Sequence, residues 1–197
     1  MNDATLASAE AAEAAARGLL GDIATGNQRA LETFYRDYHG AVYQFALRLV
    51  RNPADAAELV NESMLEVWKA ANTFRGGSRV RTWLLSIVNH RAVDLLRRKR
   101  RHGGGVELDD DLVDEGVCPM PDVLAGAQNA QQVRACIDRL PERQRQVVHL
   151  TFFEQLAYPE IAQVLEVPAG TVKTRMMHAK SKLMHCLAGF FGRGVTP

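Results

Sequence analysis

Apolar residues recur every three or four positions in three stretches of the first half of the chain, which is the spacing of one helix face. The first stretch runs from Leu31 through Phe34, Tyr35, Tyr38, Val42, Phe45, Ala46 and Leu49. Asn52-Pro53 ends it, and a second helix is predicted from Asp55 to about Ala70, with Ala56, Val60, Met64 and Val67 on one face. A third helix follows Arg81-Thr82 and carries Trp83, Leu84, Ile87, Val88, Val93 and Leu95. No alternating strand pattern occurs, so these stretches predict a compact helical domain.

The second half of the chain repeats the helical spacing in shorter segments. One helix is predicted from Val133, Cys136, Ile137 and Leu140, and Pro141 begins another that carries Val147, Val148, Leu150 and Phe152. Residues 156–182 then predict two short helices joined by a tight turn. Pro159 fits the first turn of the earlier helix, where its missing N–H has no cost, and Ile161, Ala162 and Leu165 follow on one face.

The later helix of this pair is predicted to begin after residues 167–170 and to be capped by Thr171. Val172, Met176 and Ala179 face inward, which leaves an outer face of Lys173, Thr174, Arg175, Met177 and His178. A pair of helices with such an outer face is typical of proteins that read the major groove of DNA.

The fold class expected from these patterns is all-α, with two small helical domains joined by a flexible acidic linker and a helix-turn-helix in the second. The predicted segments are an alanine-rich leader at 1–27, a first domain at 28–101, a linker at 102–129, a second domain at 130–187 and a tail at 188–197. The linker is inferred because so long a stretch without apolar periodicity is uncommon inside one domain.

The net charge of +1 conceals a strong segregation along the chain. Residues 29–101 hold fourteen Lys/Arg and seven Asp/Glu, residues 130–197 hold nine and five, and residues 102–129 hold seven acids and no Lys or Arg. Because polyanions respond to local charge, two nucleic-acid surfaces are predicted. The acidic linker is either a tether kept in solution by its charge or a strap that covers the basic faces until a partner separates the domains.

Composition and motifs also exclude several classes of protein. No apolar run approaches the roughly 20 residues that a bilayer requires, and no secretory signal is present, so a cytoplasmic location without membrane insertion is expected. Cys118, Cys136 and Cys186 are odd in number and far apart, and we expect them to be reduced. The sequence lacks a P-loop, a dinucleotide fingerprint and a Gly-x-Ser-x-Gly elbow, so no catalysis, cofactor or metal is expected.

Two separated groups of motifs resemble one family, the bacterial extracytoplasmic-function (ECF) sigma factors. Residues 55–62, Phe74-Arg75-Gly76, Thr82-Trp83-Leu84 and residues 91–94 resemble the family's region 2. Residues 140–145, Glu160-Ile161-Ala162 and residues 170–175 resemble its region 4. The resemblance implies a subunit that binds core RNA polymerase, directs it to promoter DNA and helps to open the DNA, without catalysis of its own. It also implies an anti-sigma factor as a partner, often a membrane-anchored one.

The resemblance implies a role for each group of matching residues. The polymerase would contact the helix from Asp55 to Trp68, through Asp55, Glu58, Leu59, Glu62, Glu66 and Trp68. The minus-ten element would be held and melted by Phe74, Arg75, Ser78, Arg79, Arg81, Trp83, Asn89, His90, Arg91, Arg97 and Arg98. The minus-thirty-five element would be read by Gly170, Thr171, Lys173, Thr174, Arg175, Met177 and His178.

Two residues depart from the family pattern, and alternatives stay open for others. His90 stands where many relatives have Asn, and His178 stands where several have Arg, so the bases that are read here can differ. The acidic stripe of the second predicted helix consists of Asp55, Glu58, Glu62 and Glu66, and spacing alone favours a solvated face for it and a core position for Trp83. For residues 97–101 a solvated helix end is the alternative, but five consecutive bases favour contact with phosphates. A helix-turn-helix regulator that binds an operator without polymerase is the alternative function.

Overall fold

The computed structural model describes residues 3–103 and 130–191, which contain α-helices, one short 3-10 helix and no strand. The α-helices are α1 (Asp3–Ala24), α2 (Gln28–Val50), α3 (Pro53–Ala70), α4 (Val80–Gly103), α5 (Ala130–Asp138), α6 (Glu142–Phe152), α7 (Tyr158–Leu165) and α8 (Ala169–Phe191), and the 3-10 helix is Ala71–Thr73. The predicted all-α fold class is confirmed.

The chain forms two compact units. The first contains α1 to α4, and the second contains α5, α6, α8 and most of α7. In the first unit α2 packs against α1, α3 and α4, and α3 packs against α4. In the second unit α8 packs against both α5 and α6.

Two asparagines set the helix boundaries in the first unit. The side chain of Asn27 accepts a hydrogen bond from the N–H of Ala30 and begins α2. Arg51 ends α2 in the left-handed conformation, and the side chain of Asn52 accepts from the N–H groups of Ala54 and Asp55 to begin α3. Side-chain oxygens at this position satisfy backbone donors that a helix leaves unpaired, which explains the sharp corner between α2 and α3.

The segment read as a leader in the sequence is mostly helix α1 of the first unit. Ala16, Leu20 and Ile23 of α1 are 4%, 2% and 1% exposed, and α1 packs against α2. Their spacing of four and three residues is that of one helix face. The core of this unit is therefore shared by all four helices, with Phe34, Phe45, Leu59, Leu84 and Leu85 among its largest fully buried side chains.

The second unit contains a disulfide bond between Cys136 on α5 and Cys186 on α8. The expectation that these two cysteines are reduced is therefore wrong for this structure. Although 50 residues separate them in sequence, packing of α5 against α8 brings their Cα atoms to 5.9 Å, within the usual range for a disulfide. Sequence distance alone gave no sign of this proximity.

Three boundaries differ from the sequence predictions. The helix predicted to start after Thr171 begins at Ala169, and Thr171 donates its N–H to Pro168 inside the first turn, so its predicted role as a cap is wrong. Helix α4 continues to Gly103 and α8 to Phe191. The remainder of the predicted linker, residues 104–129, lies outside the described residues, and so do residues 192–197. Cys118 belongs to this part of the linker. The hypothesis that the acidic linker covers the basic faces concerns the same residues.

Candidate nucleic-acid interface

Helix α3 presents its acidic residues in two directions. Glu58 and Glu62 share one helix face, where Glu58 is exposed and Glu62 is half-buried. Asp55 and Glu66 are turned toward α4, where Asp55 accepts a hydrogen bond from Lys99 at 2.5 Å and Glu66 accepts one from Arg91. Of the four acids in the predicted stripe, Glu58 and Glu62 thus face outward, whereas Asp55 and Glu66 link α3 to α4.

Leu65 is a surface residue that sequence reasoning missed. Its side chain is 54% exposed, and it lies three residues beyond Glu62 on the outward face of α3. The helical spacing could have shown that Leu65 is exposed, because Leu65 does not share the helix face of the buried Val60, Met64 and Val67. An exposed leucine between acids gives this face an apolar centre and a charged rim, the usual composition of a protein interface.

Two predicted site residues are not on the surface. Leu59, predicted to contact polymerase, is 0% exposed and belongs to the core of the first unit, because it lies on the buried face of α3. Asn89, predicted to contact DNA, is 4% exposed, whereas its neighbour His90 is exposed. The matching motif therefore includes residues that support the helices as well as residues that present a surface.

An aromatic pair lies where α4 begins. The rings of Phe74 and Trp83 are 5.4 Å apart between centroids and tilted by 56°, and both side chains are half-buried. Arg75, Arg79 and Arg81 around them are exposed. Aromatic surfaces bordered by cations bind single-stranded nucleic acid by stacking on bases and pairing with phosphates.

The loop between the 3-10 helix and α4, residues 74–79, is held by α1. Arg17 donates a hydrogen bond to the backbone carbonyl of Ser78 at 3.1 Å, and its guanidinium lies over the ring of Phe74 at 5.7 Å from the centroid. Glu13 accepts a hydrogen bond from Arg17 at 2.8 Å and one from the N–H of Val80 at 3.0 Å. Sequence patterns do not reveal these contacts, because Arg17 lies 61 residues before Ser78, and Glu13 lies 67 residues before Val80.

Helix α4 continues the surface away from the loop. Trp83, His90 and Arg97 follow at intervals of seven residues, so each is turned by only about 20° from the one before. His90 and Arg97 are exposed, as is Arg98. The structure thus places an aromatic end and a basic end on one side of a single helix. Arg91, paired with Glu66, lies beside this stripe.

In the second unit, α7 and α8 form the predicted helix pair. Pro159 lies in the first turn of α7, as predicted, and the N–H of Ala157 donates to the carboxylate of Glu160 at 3.0 Å. Glu166 adopts the left-handed conformation with φ of 52° and makes the turn toward α8. Val172, Met176 and Ala179 are buried, which confirms the inward face predicted for α8.

The outward face of α8 carries the residues predicted to read DNA. Lys173, Thr174 and Met177 are exposed, whereas Arg175 and His178 are half-buried. The hydroxyl of Thr174 donates to the backbone carbonyl of Gly170 at 3.1 Å, so it must rotate before it can donate to a base. Gly170 is exposed, and apart from its chain neighbours and its own helix backbone no atom lies within 4 Å of a Cβ built on it.

Neither a metal-binding cluster nor a membrane-spanning helix occurs in the part of the chain that the structure describes. Within it, no cluster of three or more His, Cys, Asp or Glu side chains could hold a metal ion. None of its helices combines the length and the apolar character that a bilayer span requires.

Comparison with known proteins places both units in sequence families. Residues 34–102 match the Sigma-70 region 2 family, and residues 130–183 match the Sigma-70, region 4 family. The ECF RNA polymerase sigma factor SigK of Mycobacterium ulcerans is 33% identical over 179 residues, which cover 86% of this chain and 91% of that protein. The ECF RNA polymerase sigma factor SigM of Mycobacterium tuberculosis is 30% identical over 178 residues, which cover 90% and 87%.

Two solved structures share the fold. CnrH, solved in complex with the cytosolic domain of CnrY, superposes with a TM-score of 0.64 at 24% identity, covering 89% of this chain and 98% of CnrH. The sigma factor RpoE, solved with the anti-sigma factor NepR from Bartonella quintana, gives a TM-score of 0.60 at 23% identity and covers 79% and 97%.

Proposed function

The chain belongs to the ECF sigma factors of RNA polymerase, and from this premise we propose how its two units divide the work of initiation. As an alternative sigma factor, the protein directs promoter-specific transcription initiation. In our proposal the first unit binds core polymerase through α3 and opens the minus-ten element with the 74–79 loop and α4. The second unit reads the minus-thirty-five element with α8.

The polymerase surface is proposed to centre on Leu65, with Glu58 and Glu62 at its rim and Trp68 at its C-terminal side. The exposure of Leu65 supports this, because burying the remaining exposed half of a leucine side chain is favourable by about 1–1.5 kcal/mol. The two glutamates set the orientation and the association rate toward a basic partner more than the affinity. Asp55 and Glu66 support this surface from the side through their partners on α4.

The minus-ten surface is proposed to run from Phe74 along the exposed side of α4. An unpaired base is held against the aromatic pair of Phe74 and Trp83, and the arginines of the loop and of α4 contact the displaced backbone. Holding melted bases requires an apolar surface next to cations, and the structure brings the two together at one end of α4. That juxtaposition is the observation on which the proposal chiefly rests.

The minus-thirty-five surface is proposed to be the outward face of α8. Lys173 and Arg175 contact phosphates, and Thr174 and His178 reach base edges in the major groove. An imidazole presents at most one donor to the edge of a guanine where a guanidinium presents two, so His178 gives a weaker or different preference for guanine than the arginine of several relatives.

The partners and the location follow from the same premise. We propose that an anti-sigma factor binds the protein and covers its polymerase surface, because RpoE, a sigma factor of the same fold, was solved in complex with the anti-sigma factor NepR. The protein is proposed to act in the cytoplasm, where its polymerase is, as a dissociable subunit that performs no catalysis of its own. Core polymerase carries out the chemistry.

Association with core polymerase tests the assignment of the α3 surface. Leu65→Ala is expected to weaken the affinity for core polymerase about tenfold, and Glu58→Gln combined with Glu62→Gln is expected to slow association chiefly at low salt. Arg36→Ala is the control, since Arg36 is an exposed residue of α2 outside the proposed surfaces. Unchanged core affinity in Leu65→Ala would remove α3 from the polymerase interface.

A further inference from the structure

We infer that Glu13 and Arg17 of α1 are positioning residues, which hold the 74–79 loop in the conformation that receives an unstacked base. This inference rests on the proposed role of that loop at the minus-ten element. It gives α1, whose role the sequence left undefined, a part in opening promoter DNA.

Arg17 lies at the centre of the loop. Its guanidinium contacts the ring of Phe74 and donates to the carbonyl of Ser78, so it joins both ends of the loop. Between them, Gly76 has φ of 72°, and a Cβ built on it would come within 2.9 Å of an Arg17 terminal nitrogen. The loop therefore curves around one side chain that comes from another helix.

Glu13 fixes Arg17 and the start of α4 together. Its carboxylate accepts from Arg17 at 2.8 Å and from the N–H of Val80 at 3.0 Å and 3.3 Å through its two oxygens. The N–H groups of a first helical turn lack partners within the helix, so a carboxylate there is stabilised both by hydrogen bonding and by the helix dipole. Glu13 thereby caps α4 from a position 67 residues earlier in the chain.

The anchor of this pair is the buried face of α1. Ala16 and Leu20 are 4% and 2% exposed, so the backbone that carries Glu13 and Arg17 is fixed on the first unit. The pair itself is partly exposed, with side-chain exposures of 24% for Glu13 and 43% for Arg17. It therefore contributes to the geometry of the surface rather than to the core.

The loop needs such support because of its composition. Residues 76–78 are Gly-Gly-Ser, and a loop of this kind loses considerable conformational entropy when it is ordered. Ordering it before the base arrives lowers the entropic cost at the binding step, which is the general effect of preorganisation. Lysine could keep the charge next to Glu13, but it lacks the planar fork that lets arginine stack on a ring and donate sideways.

Open-complex formation by reconstituted holoenzyme tests the inference. The template is the promoter identified by mapping transcript starts after overexpression of the wild-type protein, and permanganate reactivity of unpaired thymines measures the opening. Arg17→Ala is expected to lower the open fraction about tenfold, the scale of one lost hydrogen bond to a charged group. Arg17→Lys is expected to lose nearly as much, whereas core affinity and binding of duplex minus-thirty-five DNA stay within about twofold.

Two control variants distinguish an effect on the geometry of the 74–79 loop from an effect on folding. Glu10→Ala changes an exposed glutamate on α1, one helical turn before Glu13, and Arg36→Ala removes an exposed arginine from α2, so both are expected to open the promoter as wild type does. Hydrogen exchange in the unbound protein provides a readout apart from transcription. The amide of Val80 is expected to exchange about tenfold faster in Glu13→Ala than in wild type, because it loses its acceptor.

Phe74→Ala in the same assay separates this inference from the proposed function. If Phe74→Ala reduces opening but Arg17→Ala does not, the positioning role is wrong and the proposed role of the loop stands. If neither variant reduces opening, the proposed role of the loop is wrong as well. A parallel fall of core affinity and open fraction in Arg17→Ala would show that Arg17 supports only the fold of the unit, and would also overturn the inference.

Discussion

Arg91 on α4 donates a hydrogen bond to the carboxylate of Glu66 on α3, so a residue predicted to contact DNA and one predicted to contact polymerase are partners. Lys99 and Asp55 repeat the arrangement at the other end of the same helix pair, at 2.5 Å. The proposed polymerase surface and the proposed DNA surface therefore lie on helices that are joined by charge as well as by packing.

A double-mutant cycle measures the strength of this link. Glu66→Gln, Arg91→Ala and the combined variant are expected to give a coupling energy of about 0.5–1 kcal/mol in urea unfolding, because both side chains are partly exposed and water screens the pair. The coupling should fall at high salt. A coupling indistinguishable from zero at low salt would mean that the pair does not join the helices in solution.

Replacement of Gly76 tests the shape of the 74–79 loop. Gly76→Ala is expected to destabilise the first unit by about 1 kcal/mol, because φ of 72° is unfavourable for a residue with a Cβ. Gly77→Ala is the matched control, since no atom lies within 4 Å of its added Cβ. Equal unfolding free energies for the two variants would contradict the left-handed conformation at Gly76.

The free energy of unfolding at alkaline pH tests the surroundings of Tyr38. Burial raises the pKa of the Tyr38 hydroxyl, the charges of Glu13 and Asp37 raise it further, and Arg81 opposes them. The folded state thus favours the neutral phenol, so this contribution is fully present below the ordinary tyrosine pKa of about 10 and is lost as pH rises through the raised value.

Tyr38→Phe provides the comparison for this effect. Between about pH 8 and about pH 11, the wild-type free energy of unfolding is expected to fall relative to that of Tyr38→Phe once the pH exceeds about 10. A difference between the two proteins that stays constant over the whole range would contradict the raised pKa.

Because of the disulfide bond, we expect the stability of the second unit to depend on redox conditions. Reduction is expected to lower its free energy of unfolding by about 2–4 kcal/mol, because the bond between Cys136 and Cys186 closes a loop of some 50 residues. Hydrogen exchange in α5 and α8 with and without reductant measures the loss. The double variant Cys136→Ser with Cys186→Ser should not respond to reductant, and an equal response of both proteins would assign the effect elsewhere.

The helices could be predicted from the sequence because each buries a face whose period is visible locally. The inward residues Val172, Met176 and Ala179 were predicted from spacing alone, and they are 0%, 2% and 0% exposed. The start of α8 was not predicted correctly, because Thr171 and the preceding Pro168 are both acceptable near a helix start. Local sequence therefore predicts the type of an element more reliably than it predicts the residue at which the element begins.

Contacts between distant segments could not be predicted in the same way. Glu13 and Val80 are 67 residues apart, and Cys136 and Cys186 are 50 apart, so neither pairing leaves a periodic signal in the chain. The motif that matched the family also included Leu59, which is buried, and excluded Leu65, which is exposed. Motifs record which residues recur together, and only the packed helices show which of them face outward.

Transcription by reconstituted holoenzyme tests the central claim most directly, that this chain is the subunit by which core RNA polymerase finds and opens a promoter. Purified core polymerase with the wild-type protein is expected to produce transcripts from one defined start on the mapped promoter, and core polymerase alone is not. Trp83→Ala should abolish most of that product while it leaves core affinity unchanged. DNA binding by the protein alone, with no start-specific transcript when core polymerase is added, would contradict the account.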